Sequence, residues 1–125
     1  MWQLERKKFM NREIKFRAWV KDNKIMFDVR NIDFNCQDAY VGLRTEKLSN
    51  LELMQFTGLK DKNGKEIYEG DIVKSGNYES GIYQVEYEDS GFSPFAETYF
   101  GDQLIQNELC EIIGNIYENP ELLKP

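Results

Sequence analysis

An all-β fold, a small antiparallel barrel or sandwich, is what this sequence predicts, and three observations predict it. Apolar and polar residues alternate with period two over residues 13 to 29 and again over residues 83 to 88, the pattern of strands with one buried face. Clusters of Gly, Asn and Asp interrupt the chain at short intervals, which favours a closed or nearly closed β architecture over a βαβ sheet. The 125 residues, 41% hydrophobic and 30% charged, suffice for one packed core and are too apolar and aromatic for intrinsic disorder.

Residues 1–9 are expected to be a translated leader or a disordered arm. Met10 has the context of a second start: Glu5-Arg6 can be encoded GAG-AGG, a purine-rich ribosome-binding sequence, and Lys7-Lys8-Phe9 can supply an A/T-rich spacer. The alternative is an amphipathic arm using Trp2, Leu4 and Phe9, which is too short for a helix stable alone. From Glu13 onward, Ile14, Phe16 and Ala18 share one face, and Glu13, Lys15, Arg17 and Trp19 the other. Lys21-Asp22-Asn23-Lys24 then forms a turn, and Ile25, Phe27 and Val29 resume the alternation, so residues 13–29 read as a β-hairpin. Ala39 to Leu43 can form a short strand, and Thr45 to Asn50 a loop or helical turn.

Leu51 to Thr57 reads as a strand whose alternation slips at Leu53-Met54, as a bulge would cause. Asn63-Gly64 supplies the positive φ angles of a type I′ turn or bulged hairpin loop, and Gly70-Asp71 is a second turn. Ile72-Val73-Lys74 and the stretch through Tyr83, Val85 and Tyr87 follow as two antiparallel strands. Asp89-Ser90-Gly91 turns again, and Phe95 to Phe100 is a further candidate strand. Cys110 to Tyr117 closes the fold with Gly114 as a bend, and Asn119-Pro120-Glu121 caps a one-turn C-terminal helix. Gly-Asp-Ile-Val at Gly70 to Val73, with a glycine-bounded loop and a strand after it, marks residues 61–118 as an SH3-like portion.

Three blocks carry a family resemblance: REIKFRAW (Arg12 to Trp19), MQFTGLKDKNGKEIYEGDIV (Met54 to Val73) and IGNIYENPELL (Ile113 to Leu123). They resemble the YopX family. The resemblance implies an all-β protein encoded by a bacteriophage or prophage, with residues 10–125 as one domain and residues 10–60 as its N-terminal hairpin and strands. No catalytic residue carries over from it. That the signature begins at Arg12 agrees with a start at Met10.

The chemistry available is narrow. The sequence has no histidine, which removes Ser-His-Asp and Cys-His catalysis and the imidazole-dependent zinc and iron sites. Its two cysteines, Cys36 and Cys110, lack metal-ligand spacing and are expected to be buried thiols in a reducing cytoplasm. No phosphate-binding loop is present, and aligning Gly64 with the calcium-loop glycine places Leu59 and Gly70 where ligands are required. No cofactor is expected. Only carboxylates are left as catalytic material, Glu66, Glu69, Asp71, Glu86, Glu88 and Asp89, for acid-pair or metal-assisted hydrolysis. Glu86 and Glu88 read better as a solvated outer face.

The net charge of −6 divides unevenly: residues 1–50 hold eleven Lys and Arg against seven Asp and Glu, residues 51–125 five against fifteen. The two halves can complement one another within one fold or oligomer. A candidate interaction surface is Lys15, Arg17, Trp19, Lys21 and Lys24, where Trp19 could stack on a base, plug a protein interface or be covered by another layer of the fold. The acidic second half opposes a polyanion. A non-catalytic accessory protein of the bacterial host cytoplasm, binding a protein partner or itself through exposed strand edges, is therefore favoured over a nucleic-acid-binding one. No apolar run approaches the roughly 20 residues of a membrane helix.

Overall fold

The N-terminal hairpin forms where the alternation places it. β1 (Phe16–Val20) runs antiparallel to β2 (Ile25–Asp33) with Ala18 opposite Phe27. In the computed structural model, which describes residues 13–76, 81–88, 91–95 and 105–124, this hairpin is the middle of a six-stranded sheet. β3 (Asp38–Val41) and β4 (Arg44–Lys47) follow, then a single 3-10 turn at Leu48–Asn50, β5 (Leu51–Lys60) and β6 (Glu66–Tyr68). The strand order is β4-β3-β2-β1-β5-β6, with every neighbouring pair antiparallel. Residues 1–9, expected to be a leader or a disordered arm, Met10, and Arg12, the first residue of the family signature, lie outside the described residues.

The second half adds β7 (Asp71–Ser75), β8 (Ile82–Gln84), β9 (Glu86–Glu88), β10 (Gly91–Ser93) and β11 (Cys110–Asn115). They form a three-stranded sheet in the order β11-β7-β8 and a two-stranded one of β9 and β10. Beside strands, the described residues contain only 3-10 turns, so the chain is all-β and antiparallel.

Several expectations are corrected. The strand expected over residues 39–43 stops at Val41, because Gly42 (φ +57°) begins a two-residue turn. Glycine first in such a turn is the type II′ signature, and a Cβ there would come within 3.0 Å of the Phe27 ring. Of Thr45 to Asn50, expected as a loop or helical turn, Thr45 to Lys47 belong to the returning strand and Leu48–Asn50 form the turn. Leu53-Met54 holds no bulge, since β5 pairs in regular register with β1 from Gln55 opposite Phe16 to Leu51 opposite Val20. Alternation slips there because burial changes faces: Leu51 packs with Ala18 and Val20, whereas Met54 and Phe56 point to the opposite side. The irregularity lies further on, between Phe56 and Lys60.

The Tyr83–Tyr87 stretch is two strands broken at Val85. That residue is 1% exposed, donates to the Asp71 carbonyl at 2.8 Å and accepts from the Gly70 N–H at 2.8 Å, while Tyr87 is 63% exposed. Cys36 is exposed and only Cys110 is buried. The C-terminal helix is a single 3-10 turn, Pro120–Leu123, without the expected side-chain cap. Asn119 Oδ1 instead accepts from the Asn115 N–H at 3.2 Å and fills the space beside Gly114, where β11 shifts register. Phe95 is in a turn, and residues 96–100 and Asp89-Ser90 lie outside the described residues.

Two apolar cores result. Ala18, Val20, Ala39, Val41 and Leu51 form one under the first sheet, and Ile67, Val73, Val85, Phe92, Phe95, Ile105 and Cys110 form the other. Each fully buried Val or Ile contributes roughly 1.5–3 kcal/mol. Asp61 ties the β5–β6 loop to β11: its Oδ1 accepts from the Asn63 and Lys65 N–H groups at 2.9 Å each, and its Oδ2 from the Ile112 N–H at 3.0 Å. Burial pushes this carboxyl up, but the three N–H donors outweigh burial and hold it below its ordinary range. The turn itself needs Gly64, whose φ is +79°, and Asn63 is not left-handed.

Two expected outcomes follow from this loop. Gly64→Val has space for its side chain but not the backbone conformation, and should lower stability by about 1–2 kcal/mol while Asn63→Asp stays near neutral. If urea midpoints show both silent, the turn assignment fails. Because the folded pKa of Asp61 is lowered, its stabilisation is complete above the unfolded value of 3.8 and is lost as pH falls through the folded one. Asp61→Asn should therefore cost about 1.5–3 kcal/mol near neutral pH. The gap to the wild type should shrink below about pH 4; a gap independent of pH would show that the carboxylate charge is irrelevant.

Candidate functional site

The face of β1 opposite the first core carries Lys15, Arg17 and Trp19, and it is covered by the second half of the chain. Arg17, its side chain 13% exposed, places a guanidinium nitrogen 2.8 Å from Asp71 Oδ1, and Asp71 is 3% exposed. The same guanidinium donates to the Glu69 carbonyl at 3.1 Å and lies 4.9 Å from the centre of the Tyr68 ring. Asp71 Oδ2 accepts from the Tyr68 N–H at 2.8 Å. Burial pushes the Asp71 carboxyl up, and Arg17 beside it pulls the other way. Gly70 (φ +84°) delivers this aspartate, and it packs so closely that a Cβ would lie 3.0 Å from Met54 Sδ.

The other candidates divide between the interior and the rim. Trp19 stacks on Tyr117 with ring centres 5.6 Å apart and planes 17° from parallel, so another layer of the fold covers it. Lys15 pairs with Glu66 and with Glu13, and its ammonium, 4.8 Å from the Phe56 ring centre, is held above its usual range chiefly by Glu66. Lys21, half exposed, reaches Glu52 at 3.3 Å and the Ser49 carbonyl at 3.2 Å. Lys24 is exposed in the hairpin turn with φ +57°. The five do not make one open basic surface: Arg17 and Trp19 are spent inside, Lys15 is flanked by acids, and Lys21 and Lys24 sit at the hairpin tip.

The carboxylates do not converge either. Glu66 faces Lys15, Glu69 accepts from the Gln55 N–H at 2.8 Å, Asp71 faces Arg17, and Glu86 and Glu88 are exposed on β9. Among the described residues no three Cys, Asp or Glu side chains gather to hold a metal ion. A cavity of about 360 Å³ lies between the halves, bordered by Arg17, Met26, Lys65, Asp71, Asn115 and Glu118. Arg17 Nε is buried without a hydrogen-bond partner among the described residues. The arrangement can hold charge and donate hydrogen bonds, but it contains no nucleophile paired with a base. No helix among the described residues is long and apolar enough to cross a membrane.

Residues that the alternation did not single out stand exposed at the hairpin ends: Phe34 at 71%, in the β2–β3 turn, and Leu43 at 85%, in the β3–β4 turn. Leu43 borders a mostly apolar groove of about 310 Å³ with Val20, Phe27, Val41, Arg44 and Glu46. Gly42 was the available signal, since a glycine between Val41 and Arg44 marks a hairpin tip and not a strand interior.

A family model described as YopX protein matches residues 15–124. The crystal structure of protein EF1440 from Enterococcus faecalis is similar over 90% of this chain and 99% of its own, with a TM-score of 0.64 and 28% sequence identity. No protein of curated function matches in sequence.

The buried pair generates a test. Asp71→Ala leaves Arg17 charged and alone in the interior and should cost about 3–5 kcal/mol. Arg17→Met combined with Asp71→Asn keeps an acceptor for the Tyr68 N–H and should recover a large part of that loss. Equilibrium urea unfolding of the variants measures both. A loss below about 1 kcal/mol for Asp71→Ala would mean that the pair is solvated and does not join the halves.

Proposed function

The chain belongs to the YopX family, and from that premise we propose that it is a non-catalytic protein-interaction module, an accessory protein encoded by a phage or prophage and acting in the host cytoplasm. One observation carries the reading: the cations of β1 have acidic partners within the molecule, whereas large apolar side chains stay exposed at the hairpin ends and on β9. Lys15 and Arg17 face Glu66 and Asp71, while Phe34, Leu43 and Tyr87 are 71%, 85% and 63% exposed. Exposed aromatic and aliphatic groups at loop tips suit a protein partner, since desolvating them upon contact is favourable. Matched charges offer little to a phosphate backbone, whose affinity comes from releasing counterions to unpaired Lys and Arg.

A non-catalytic role is supported by the absence of histidine in the sequence and by the state of its thiols. Burial pushes the Cys110 thiol up, and Asp33 beside Cys36 does the same there, so neither favours the thiolate that nucleophilic catalysis needs. The β7, β8 and β11 sheet packed with β9 and β10 around Val73, Val85 and Phe92 is read as the SH3-like portion, a scaffold common among binding modules.

Fluorescence anisotropy with labelled single- and double-stranded oligonucleotides tests the proposal. The expected result is no binding that weakens with salt. Binding with a log–log salt slope of about −0.9 per phosphate, abolished by Lys21→Glu with Lys24→Glu, would replace it with a nucleic-acid role. Those two lysines are the appropriate probes because neither is buried, whereas changing Arg17 would disturb the fold itself.

A further inference from the structure

We infer that β4 is a dimerisation edge: two copies of the chain pair their β4 strands antiparallel about a two-fold axis through Thr45, extending the six-stranded sheet across both molecules. The inference rests on the protein-interaction reading and names its partner as a second copy. β4 ends its sheet, and among the described residues its one strand neighbour is β3. The opposite margins are occupied. The β5–β6 loop lies along β11, with the Lys62 N–H donating to the Cys110 carbonyl at 2.9 Å and the Asp61 carboxylate accepting from the Ile112 N–H. At β6, whose other side pairs with β5, the outward-facing Tyr68 N–H is taken by the Asp71 carboxylate. β4 carries no proline or bulge, devices that protect an edge.

Hydrogen-bond parity restricts how such an edge can pair. The two-residue turn makes Val41 and Arg44 a bonded pair, and the Leu48 N–H donating to the Gln37 carbonyl at 2.9 Å continues the same parity. Arg44, Glu46 and Leu48 therefore direct their backbone groups at β3, while Thr45 and Lys47 direct theirs outward. A symmetric antiparallel partner must place outward residues opposite outward residues, which leaves axes through Arg44, Thr45, Glu46 or Lys47, and the first of these sets two guanidinium groups face to face. An axis through Glu46 sets two carboxylates face to face, and one through Lys47 sets two ammonium groups face to face. All three are unfavourable.

The axis through Thr45 alone gives complementary charge. It sets Arg44 of each copy opposite Glu46 of the other, in the non-hydrogen-bonded pairing where side chains approach most closely. Within one chain Arg44 and Glu46 already pair at 2.7 Å, on the sheet face that holds Val41 and the apolar groove. In the dimer the two ion pairs become a four-charge cluster across the axis. The contact is short, so association should be weak and dependent on concentration.

Sedimentation velocity on the full chain over ~10 to ~500 µM reads the outcome. The wild type should shift from monomer to dimer. Thr45→Pro removes an outward N–H that β3 does not use, and should weaken the dimer about tenfold or more while circular dichroism stays unchanged. Arg44→Glu should weaken it comparably by setting like charges opposite, and Arg44→Glu with Glu46→Arg should restore it to within about threefold. Recovery by the swapped pair supports this register over a general loss of folding. A wild type that stays monomeric, or a dimer indifferent to Thr45→Pro and Arg44→Glu, overturns the inference. The second result would leave self-association standing and only its location wrong; the oligonucleotide experiment judges the broader reading separately.

Discussion

The Arg17–Asp71 pair is the constraint on which the arrangement of the two halves depends. Each charge is nearly sealed from solvent, and neither could be so without the other. Arg17 stands on the central hairpin, facing away from the first core. Asp71 opens β7, where its backbone carbonyl also accepts from Val85 and its carboxylate from Tyr68. One residue, through its side chain and its backbone carbonyl, thereby fixes where β1, β6, β7 and the start of β9 meet. An apolar contact of equal area would permit sliding; a buried charge pair with a bound backbone amide has one register. Gly70 is required for that register, because the positive φ and the close approach of Met54 exclude a larger residue.

The uneven charge along the chain acquires a structural meaning from this. Lys15–Glu66, Arg17–Asp71 and Lys21–Glu52 all join the basic first part to the acidic second part. Their worth differs. Lys21–Glu52 is at the surface and screened by water, and contributes little. Lys15–Glu66 is intermediate in exposure, and Arg17–Asp71 is buried. Exposed acids such as Glu86 and Glu88 give the surface its negative character.

What the sequence made legible was local: the first hairpin, the Asn63-Gly64 loop, the strand after Gly70-Asp71 and the bend at Gly114 each rest on chemistry within a few residues. What stayed hidden was tertiary. Period-two alternation assigns one buried and one wet face to a strand, and β1 and β5 break that assumption because both faces are covered, one by the first core and one by the second half. Arg17 looked like an outer-face residue for this reason, whereas the cover over Trp19 was among the readings its sequence allowed and is supplied by Tyr117. The slip at Leu53-Met54 looked like a bulge for the same reason, when it marks the point where β5 exchanges one buried face for the other. Asp61 could not be singled out at all, since its third hydrogen bond comes from Ile112, 51 residues away.

The same contrast bears on where a partner can be met. Side chains close the β6 and β11 margins: the Asp71 and Asp61 carboxylates accept hydrogen bonds from Tyr68 and Ile112 where another strand would otherwise add. The closure at β11 spans 51 residues of chain, from Asp61 to Ile112. β4 is reached by none of them, since its hairpin lies at the far end of the sheet from β6. Its protection is left to its own four residues, Arg44-Thr45-Glu46-Lys47, whose charges alternate in sign around Thr45. Uniform charge would repel every partner, including a second copy. Opposite charges flanking a neutral residue repel displaced registers and admit the one centred between them, so the pattern that guards this edge against unspecific pairing also selects how it can pair.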